Sequence, residues 1–277
     1  MNPSLPDAKR FRELHAPGQV LVLPNVWDAM SARLVESLGG AALATSSAAV
    51  AWAHGAPDGE RLEFDRLLAS TRDIVRAVRV PVSVDFERGY NQSAADVADA
   101  VCRLAQEGVV GINLEDGAEP PEVLTSKLSA CREAFQRQGL DVFLNARTDV
   151  ILRRMLSGPQ ALDEVIRRTK RYADAGCDGI FVPGLSAAED LARVVSEVSV
   201  PLNVWAAPAL PPVDQLRAMG VRRVSVGPRL ALTALSAARR DAEHLMAGHW
   251  APPPGETPLT YPQVNGWFTQ TPTPSKE

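Results

Sequence analysis

Short apolar runs rich in β-branched residues alternate along this chain with longer stretches whose apolar residues recur at helical spacing. Most of the short runs are continuously apolar, which is typical of parallel strands covered on both faces. The pattern predicts eight strands, at Val20–Val26, Ala41–Ser47, Pro81–Glu87, Val109–Glu115, Val142–Arg147, Gly179–Pro183, Leu202–Ala206 and Arg223–Val226. We expect helices between them, and several of these end at a glycine, which tolerates the left-handed conformation that a helix terminus often needs.

Eight strand-and-helix units predict an α/β protein with a (β/α)8 barrel over residues 1–250, because this fold typically takes about 250 residues. A doubly wound parallel sheet is the alternative, but no GxGxxG motif follows the first strand. Residues 251–277 hold seven of the 22 prolines. We expect them to form a Pro-rich C-terminal arm that lies extended against its own or a neighbouring subunit, because a free linker has no need of Tyr261, Trp267 and Phe268.

The charge balance of the 277 residues, 29 Lys and Arg against 33 Asp and Glu, gives a net charge of −4. This argues against a nucleic-acid partner and against an acidic disordered tail. No apolar stretch reaches the ~20 residues that a membrane helix needs, and the first ten residues lack the apolar segment of a secretion signal. Three scattered cysteines and four scattered histidines form no CxxC or HExxH motif. We therefore expect a cytoplasmic protein with reduced thiols and no zinc site.

Acidic side chains gather at the ends of the predicted strands, where barrels of this type carry their chemistry. Asp85 and Glu87 are two residues apart on one strand, so their side chains share a face, and Glu115 comes from the neighbouring strand. Converging carboxylates repel one another unless a cation or protons intervene, and oxygen ligands favour Mg²⁺ or Mn²⁺. Alternatively, these acids form salt bridges with nearby basic residues such as Arg88 and Arg147.

Two further groups at the strand ends are candidates for binding an anionic substrate. The planar guanidinium of Arg147 suits bidentate recognition of a carboxylate, or it simply balances Asp149 or Glu115. Ser46–Ala48 offers hydroxyl groups and consecutive backbone N–H groups between a strand and a loop of small residues, an arrangement that can hold an anion. A Ser-rich turn without a ligand is the other interpretation of that segment.

Five segments at the strand ends resemble those of the isocitrate lyase/phosphoenolpyruvate mutase superfamily, in the same order and on the same strands. They are Thr45–Ser47, Gly55–Asp58, Val84–Tyr90, Asn113–Asp116 and Asn145–Asp149. The likeness covers about Phe11 to Met246. It implies a Mg²⁺-dependent barrel enzyme that acts on small 2-oxo acids or their enolates. It also implies a homotetramer or homodimer in which a terminal helix, here around Leu230–Met246, is swapped between subunits.

The resemblance also implies roles for individual residues. Those expected to hold the metal are Asp85 directly and, largely through water, Asp58, Glu87 and Glu115. Those expected to contact the substrate are Ser46, Ser47, Ala48, Asp85, Arg147 and, from its place on the seventh strand, Asn203. As catalytic residues we single out Arg147, Glu115 and, as an acid–base candidate by position, Tyr90.

The loop after the fourth strand departs from the family pattern. Lyases of the family carry a Lys-x-Cys-Gly-His stretch there, and phosphonate enzymes a loop with Lys and Asn, whereas this chain has Gly117–Pro121. Cysteine-dependent isocitrate or methylisocitrate cleavage is therefore not expected. We expect carbon–carbon lyase or hydrolase chemistry on a 2-oxo acid, dicarboxylic if Arg147 holds a distal carboxylate. The alternatives are carbon–phosphorus chemistry on a phosphonopyruvate-type substrate, or a non-catalytic 2-oxo acid binding protein.

Overall fold

Nine parallel strands form a single sheet in the computed structural model, which describes residues 5–253, 255 and 257–269. They are β1 (Leu21–Leu23), β2 (Asn25–Val26), β3 (Leu43–Thr45), β4 (Val82–Asp85), β5 (Gly111–Glu115), β6 (Phe143–Arg147), β7 (Gly179–Val182), β8 (Leu202–Trp205) and β9 (Val221–Ser225). The first predicted strand is split at Pro24, which has no backbone N–H to donate. Because β1 pairs with β9 and β2 pairs with β3, the split strand brings the two edges of the sheet together as a barrel.

Most of the helices follow a strand and pack on the outside of the barrel. The helices are α1 (Leu5–Glu13), α2 (Ala29–Ser37), α3 (Ser47–Ala53), α4 (Phe64–Ala77), α5 (Ala94–Gln106), α6 (Pro121–Gln138), α7 (Gly158–Asp174), α8 (Ala188–Glu197), α9 (Val213–Met219), α10 (Arg229–Met246) and α11 (Tyr261–Thr269). The predicted (β/α)8 barrel is confirmed. In the described part of the chain, no helix combines the length and apolar character needed to cross a membrane.

Helix α1 closes the N-terminal end of the barrel. Its Phe11 is fully buried, and the next residues bring His15 into a stacked contact with Phe143 of β6, at 4.3 Å between ring centroids. Arg12 pairs with Asp141 and Asp178, each at 2.7 Å, and so ties the helix to the barrel. With this end plugged, the C-terminal strand ends are where a ligand can enter.

A layer of hydrogen-bonded amides crosses the interior of the barrel below the strand ends. The side-chain amide of Asn145 donates to Asn113 at 2.9 Å and to Asn203 at 3.1 Å. Arg223, fully buried in the same layer, donates from Nη2 to Asn113 Oδ1 at 3.3 Å. The strand register explains this layer, because Asp85 pairs with Asn113 and Asn113 pairs with Asn145 across neighbouring strands.

In its described part, the C-terminal segment differs from the predicted extended arm by containing a helix, and residues 254, 256 and 270–277 of the predicted arm lie outside the described residues. Residues 261–269 form helix α11, which packs against α2. Thr260 starts this helix: its backbone N–H and its hydroxyl both donate to Gln263 Oε1 at 2.8 Å. Gln263 N–H in turn faces the Thr260 hydroxyl at 3.4 Å. This reciprocal capping is strong enough locally to begin a helix in a Pro-rich stretch.

Candidate active site

A cavity of about 240 Å³ lies at the C-terminal ends of the strands. Its size suits a small molecule, since pockets for drug-sized ligands start at roughly 300 Å³. One side, which we call the polar half, is formed by Ser46, Ser47, Ala48, Asp58, Asp85 and Arg147. The other side, which we call the apolar half, is formed by Leu152, Phe181, Pro183, Trp205, Gly227 and Pro228, with the hydroxyl of Ser225 beside them. The residues of the polar half lie at the ends of β3 to β6 or in the loops after them, and those of the apolar half lie at or after the ends of β6 to β9. Polar and apolar side chains therefore occupy different sectors of the barrel.

Asp85, the last residue of β4, is held from one side only. Its Oδ2 accepts a hydrogen bond from the Ser47 hydroxyl at 2.8 Å, and its backbone N–H donates to the Thr45 hydroxyl at 3.0 Å. Its Oδ1 is buried and has no hydrogen-bond partner among the described residues. A buried carboxylate oxygen without a partner is energetically costly, so this atom is suited to bind a cation or a donor from a ligand.

The segment Ser46–Ala48 forms the start of helix α3 rather than the expected loop of small residues. Ser46 is the N-cap, and its hydroxyl accepts from the backbone N–H of Ala49 at 3.4 Å. A serine N-cap followed by an alanine-rich run favours helix, and that signal was present in the sequence. Because the Ser46 hydroxyl caps the helix, the side chain of Ser47 is the one that reaches Asp85.

Arg147, the last residue of β6, lies between two carboxylates. Its Nη1 is 2.8 Å from Glu115 Oε2, and its Nε and Nη2 donate to the two oxygens of Asp149 at 2.7 and 3.2 Å. The ring of Phe181 covers the guanidinium at 5.6 Å. The ion-pair interpretation of this arginine is therefore observed, and its positive charge is balanced within the protein.

Burial affects the pKa values of this ion pair. It raises the pKa of the Glu115 carboxyl, whose side chain is only 10% exposed, and Arg147 opposes that shift. Burial alone lowers the pKa of Arg147, but the carboxylates of Glu115 and Asp149 more than offset it, so the pKa is raised. Arg147 stays charged, and Glu115 holds its orientation.

Glu87 and Tyr90 belong to two interlocked loops beside the cavity. The Glu87 carboxylate accepts from the Tyr90 hydroxyl at 2.9 Å and from the backbone N–H of Glu60 at 2.8 Å. All three residues have positive φ, between 48° and 60°, a conformation that is strained for side chains other than glycine. Burial, with the nearby Asp85 carboxylate adding to it, raises the pKa of Glu87 to about 7. The structure thus commits both oxygens of Glu87 to holding these loops.

The acidic residues of the site fit a hydrated divalent cation with one direct carboxylate ligand. Burial raises the pKa of Asp58, Glu87 and Glu115, and the negative charge of Asp85 contributes in each case. A cation beside Asp85 would relieve this repulsion. Among the described residues, no three Asp, Glu, His or Cys side chains come close enough to enclose a metal ion. Mg²⁺ commonly uses one or two carboxylates and completes its octahedron with water, so a single ligand suffices.

The structure brings only part of the predicted residue set to the cavity. Ser46, Ser47, Ala48, Asp58, Asp85 and Arg147 line it. Glu87, Glu115, Tyr90 and Asn203 lie behind the lining. Fully buried Asn203 donates to the hydroxyl of Ser225 at 3.3 Å, and Ser225 is the residue that reaches the cavity. Sequence analysis assigned no role to the apolar half, although Trp205 lies near the end of a predicted strand, because its side chains carry no strongly reactive group.

A family model of phosphoenolpyruvate phosphomutase matches residues 11–246. The chain belongs to this family. Within the wider isocitrate lyase/phosphoenolpyruvate mutase superfamily, whose members are carbon–carbon lyases, hydrolases and mutases, a divalent metal is generally used. The predicted superfamily is thus confirmed, and the matched residues coincide with those over which the sequence resemblance extends.

Relatives of this phosphomutase-family chain include two proteins of similar length. It is 33% identical over 242 residues to an uncharacterized protein of Mycobacterium tuberculosis, covering 87% of this chain and 91% of that one. It is 31% identical over 225 residues to an oxaloacetate decarboxylase of Pseudomonas entomophila, covering 78% and 77%. Among solved structures, oxaloacetate acetylhydrolase superimposes with a TM-score of 0.82 at 25% identity, covering 94% of this chain and 93% of that one.

Proposed function

We propose that this protein is a Mg²⁺-dependent enzyme that makes or breaks a carbon–carbon bond in a small 2-oxo acid or its enolate, with Mn²⁺ as a possible substitute. The observation that carries the proposal is the buried Oδ1 of Asp85, which has no hydrogen-bond partner in the described part of the chain. It lies beside the Ser47 hydroxyl in a small cavity at the strand ends. The superfamily and its usual metal support the same assignment.

Asp85 would bind the metal directly, and Asp58, at the exposed rim of the cavity, would hold it through water. When bound, the metal stabilises the negative charge that develops on the 2-oxo oxygen, a contribution of several kcal/mol. Ser47 orients Asp85 through its hydroxyl, which fixes the carboxylate in the position that leaves Oδ1 available.

The substrate carboxylate would lie against Ser46, Ser47 and Ala48, which offer hydroxyl and backbone donors. Arg147 lines the same half and has N–H groups beyond those given to Glu115 and Asp149, so it can add a hydrogen bond. Glu115 acts through Arg147 and is a positioning residue in this proposal.

Proton transfer at this site has few protein candidates. Among the described residues that line the cavity, none is Cys, His, Lys or Tyr. Ser225 is the hydroxyl nearest to the apolar half: it accepts from Asn203, so its own proton remains available to a ligand. Tyr90 donates its proton to Glu87 and does not line the cavity, so we assign it the positioning of Glu87. Solvent would supply the proton to the enolate carbon, and the hydroxyl of Ser225 can orient the ligand by a hydrogen bond.

Carbon–phosphorus chemistry is less well supported by this lining. A phosphoryl group carries more charge than a carboxylate and needs cationic partners. Within the described lining, the single basic residue is Arg147, whose charge Glu115 and Asp149 already balance. The site therefore favours a substrate with a 2-oxo acid head and no phosphoryl group.

The test is Mg²⁺-dependent binding of pyruvate and oxalate, measured by titration calorimetry and followed by product analysis with a panel of 2-oxo acids. Asp85→Asn keeps the shape of the side chain but removes its charge, and we expect it to weaken Mg²⁺-dependent binding by ~100-fold or more. Asp214→Asn, at a carboxylate that is 89% exposed on α9, is the matched control and should bind like the wild type. Equal affinity with and without Mg²⁺ would contradict the metal assignment, and binding without any turnover would favour a 2-oxo acid binding protein.

The assembly proposed from the family is supported by an uncovered face of the barrel. Val22 of β1 is 43% exposed, although barrel strands are normally covered by helices. A groove of about 570 Å³ lies over this strand, between α2 and the start of α10. Helix α10 itself buries only Ala231. We infer that α10 of a second copy covers this groove in a homodimer or homotetramer.

A further inference from the structure

The charged groups of the cavity are confined to its polar half. In the described lining they are Asp58, Asp85 and Arg147. Glu115 and Asp149 bind the guanidinium of Arg147 from two sides, and Phe181 covers its face. An entering anion therefore finds hydrogen-bond donors here but no cation whose charge is unbalanced, apart from the metal proposed beside Asp85.

The first carboxylate of a 2-oxo acid has a place in the polar half, beside Ser46–Ala48 and the metal. A second carboxylate would have to extend into the apolar half, among Leu152, Phe181, Pro183 and Trp205. The hydroxyl of Ser225 is also part of the lining and can donate one hydrogen bond, but it carries no charge. A carboxylate buried without a cation is strongly disfavoured, whereas each methyl or methylene group buried there is favourable. The cavity therefore discriminates between a hydrocarbon and an anionic tail on the same head.

Trp205 is the largest side chain of the apolar half. It ends β8, and its indole ring lies against Gly227, where a Cβ atom would be 3.4 Å from its Cε2. Gly227 is held in turn, since its backbone N–H donates to Asn25 Oδ1 at 2.9 Å. The Val226 N–H donates to the same oxygen at 2.8 Å. The indole thus rests on one side against a backbone segment that is itself held by Asn25.

We propose that the substrate of this enzyme carries an uncharged hydrocarbon group beyond its 2-oxo acid head, and that Trp205 is the residue that selects it. This inference rests on the function proposed above and adds the class of substrate. It separates this chain from its relatives named for oxaloacetate, a dicarboxylic acid. A dicarboxylic substrate held by Arg147, which the sequence left open, is thereby disfavoured.

The experiment compares two acids of similar size and the same heavy-atom connectivity in the presence of Mg²⁺. 4-Methyl-2-oxopentanoate and oxaloacetate have the same first three carbons. At the fourth carbon, 4-methyl-2-oxopentanoate carries two methyl groups where oxaloacetate carries two carboxylate oxygens. Titration calorimetry gives the affinity of each acid, with oxaloacetate freshly dissolved. Pyruvate, which has the 2-oxo acid head and no longer tail, is the reference. Any turnover appears as heat that continues after binding. We expect the methyl compound to bind ~10-fold or more tightly than oxaloacetate, because the distal carboxylate meets no cation in the described lining of the apolar half.

Variants of Trp205 assign the preference to this residue. Trp205→Ala should weaken the binding of 4-methyl-2-oxopentanoate by ~10-fold. The affinity for pyruvate should change by less than about twofold, because only the longer acid reaches the indole ring. Trp205→Arg should reverse the preference by giving the distal carboxylate a cation. Trp250→Ala, at a tryptophan that is 82% exposed, is the control and should leave all three affinities unchanged.

The outcomes distinguish this inference from the function on which it rests. If pyruvate binds with Mg²⁺ but oxaloacetate binds more tightly than the methyl compound, or is turned over with the higher kcat/KM, the proposed selectivity is wrong and the proposed function stands. Equal losses for pyruvate and the methyl compound in Trp205→Ala would also overturn it. If no 2-oxo acid binds with Mg²⁺, both proposals fail.

Discussion

Replacing Arg223 by methionine should make this protein more stable. Arg223 is 1% exposed inside the barrel, and its Nε and Nη1 are buried without a hydrogen-bond partner among the described residues. Its favourable interactions are one long hydrogen bond to Asn113 at 3.3 Å, the ring of Phe11 at 5.9 Å and the negative charge of Asp85, which only partly offsets the effect of burial on its pKa. Such a charge is expensive to bury, and an apolar side chain of similar length removes that cost.

The magnitude follows from the pKa of the guanidinium. Burial lowers the pKa of Arg223 from 12.5 to about 10. A shift of that size corresponds to about 3 kcal/mol of free energy that disfavours the charged form in the folded protein. Methionine forfeits the contacts to Asn113 and Phe11, each worth about 1 kcal/mol or less. The net gain is then about 1–2 kcal/mol, or a rise in Tm of roughly 3–6 °C for a domain of this size.

Urea unfolding and thermal scans at pH 7 measure this difference, where Arg223 is charged in both the folded and the unfolded state. Arg222→Met is the matched control: Arg222 is the next residue on β9, so its side chain points to the other face of the sheet. We expect the control to change the unfolding free energy by less than about 0.5 kcal/mol. A Tm of Arg223→Met below that of the control would refute the reasoning, because it would mean that the surroundings of Arg223 compensate its charge.

Three other changes have defined outcomes. Burial lowers the pKa of His15 to about 3, so His15 is neutral in the folded state, and stability should fall as the pH drops below about 6.5, where the unfolded chain takes up the proton. Between pH 6.5 and pH 5, the free energy of unfolding measured with urea should fall in the wild type and in His15→Phe. We expect the fall to be smaller in His15→Phe by up to about 2 kcal/mol. Tyr90→Phe should lower kcat less than ~10-fold if Tyr90 only positions Glu87, whereas loss of an acid–base catalyst costs ~10²–10⁴-fold. Val22→Glu should shift the oligomer toward smaller species in light scattering, and an unchanged mass would contradict the inferred covering of the groove.

The strands and the chemistry at their ends could be predicted because both depend on local patterns. Continuous apolar runs mark buried parallel strands, and the C-terminal rim of a barrel carries polar residues. Asp85 and Arg147 could therefore be placed from the sequence at the ends of β4 and β6. The helices α3 and α11 were missed even though Ser46 and Thr260 are cap residues, because each helix is short and its start lies in a stretch of small residues or prolines.

The partners of the charged residues depend on contacts between distant parts of the chain. Glu60 is the clearest case: its backbone N–H donates to Glu87, and its carboxylate accepts from the N–H of Tyr90 and from Arg88. These contacts join segments about 30 residues apart, and no local pattern marks Glu60 as their centre. Tyr90 therefore looks like a free acid–base candidate in the sequence, although its hydroxyl is already engaged.

The division of the cavity into two halves depends on strand register, which a sequence does not fix. Along a strand, neighbouring side chains alternate between the two faces, so a shift of one residue exchanges Phe181 with Val182 as the residue facing the interior. In the observed register, Glu115 pairs with Arg147 and Arg147 pairs with Phe181 across β5, β6 and β7. Because these three residues are neighbours across the strands, Glu115 forms an ion pair with Arg147 and the ring of Phe181 covers the guanidinium. The positive charge of Arg147 is therefore balanced before a ligand enters the cavity. The part of the substrate beyond its 2-oxo acid head then meets the apolar half of the cavity. Arg147 at the end of β6 is therefore not sufficient by itself to specify a dicarboxylic substrate.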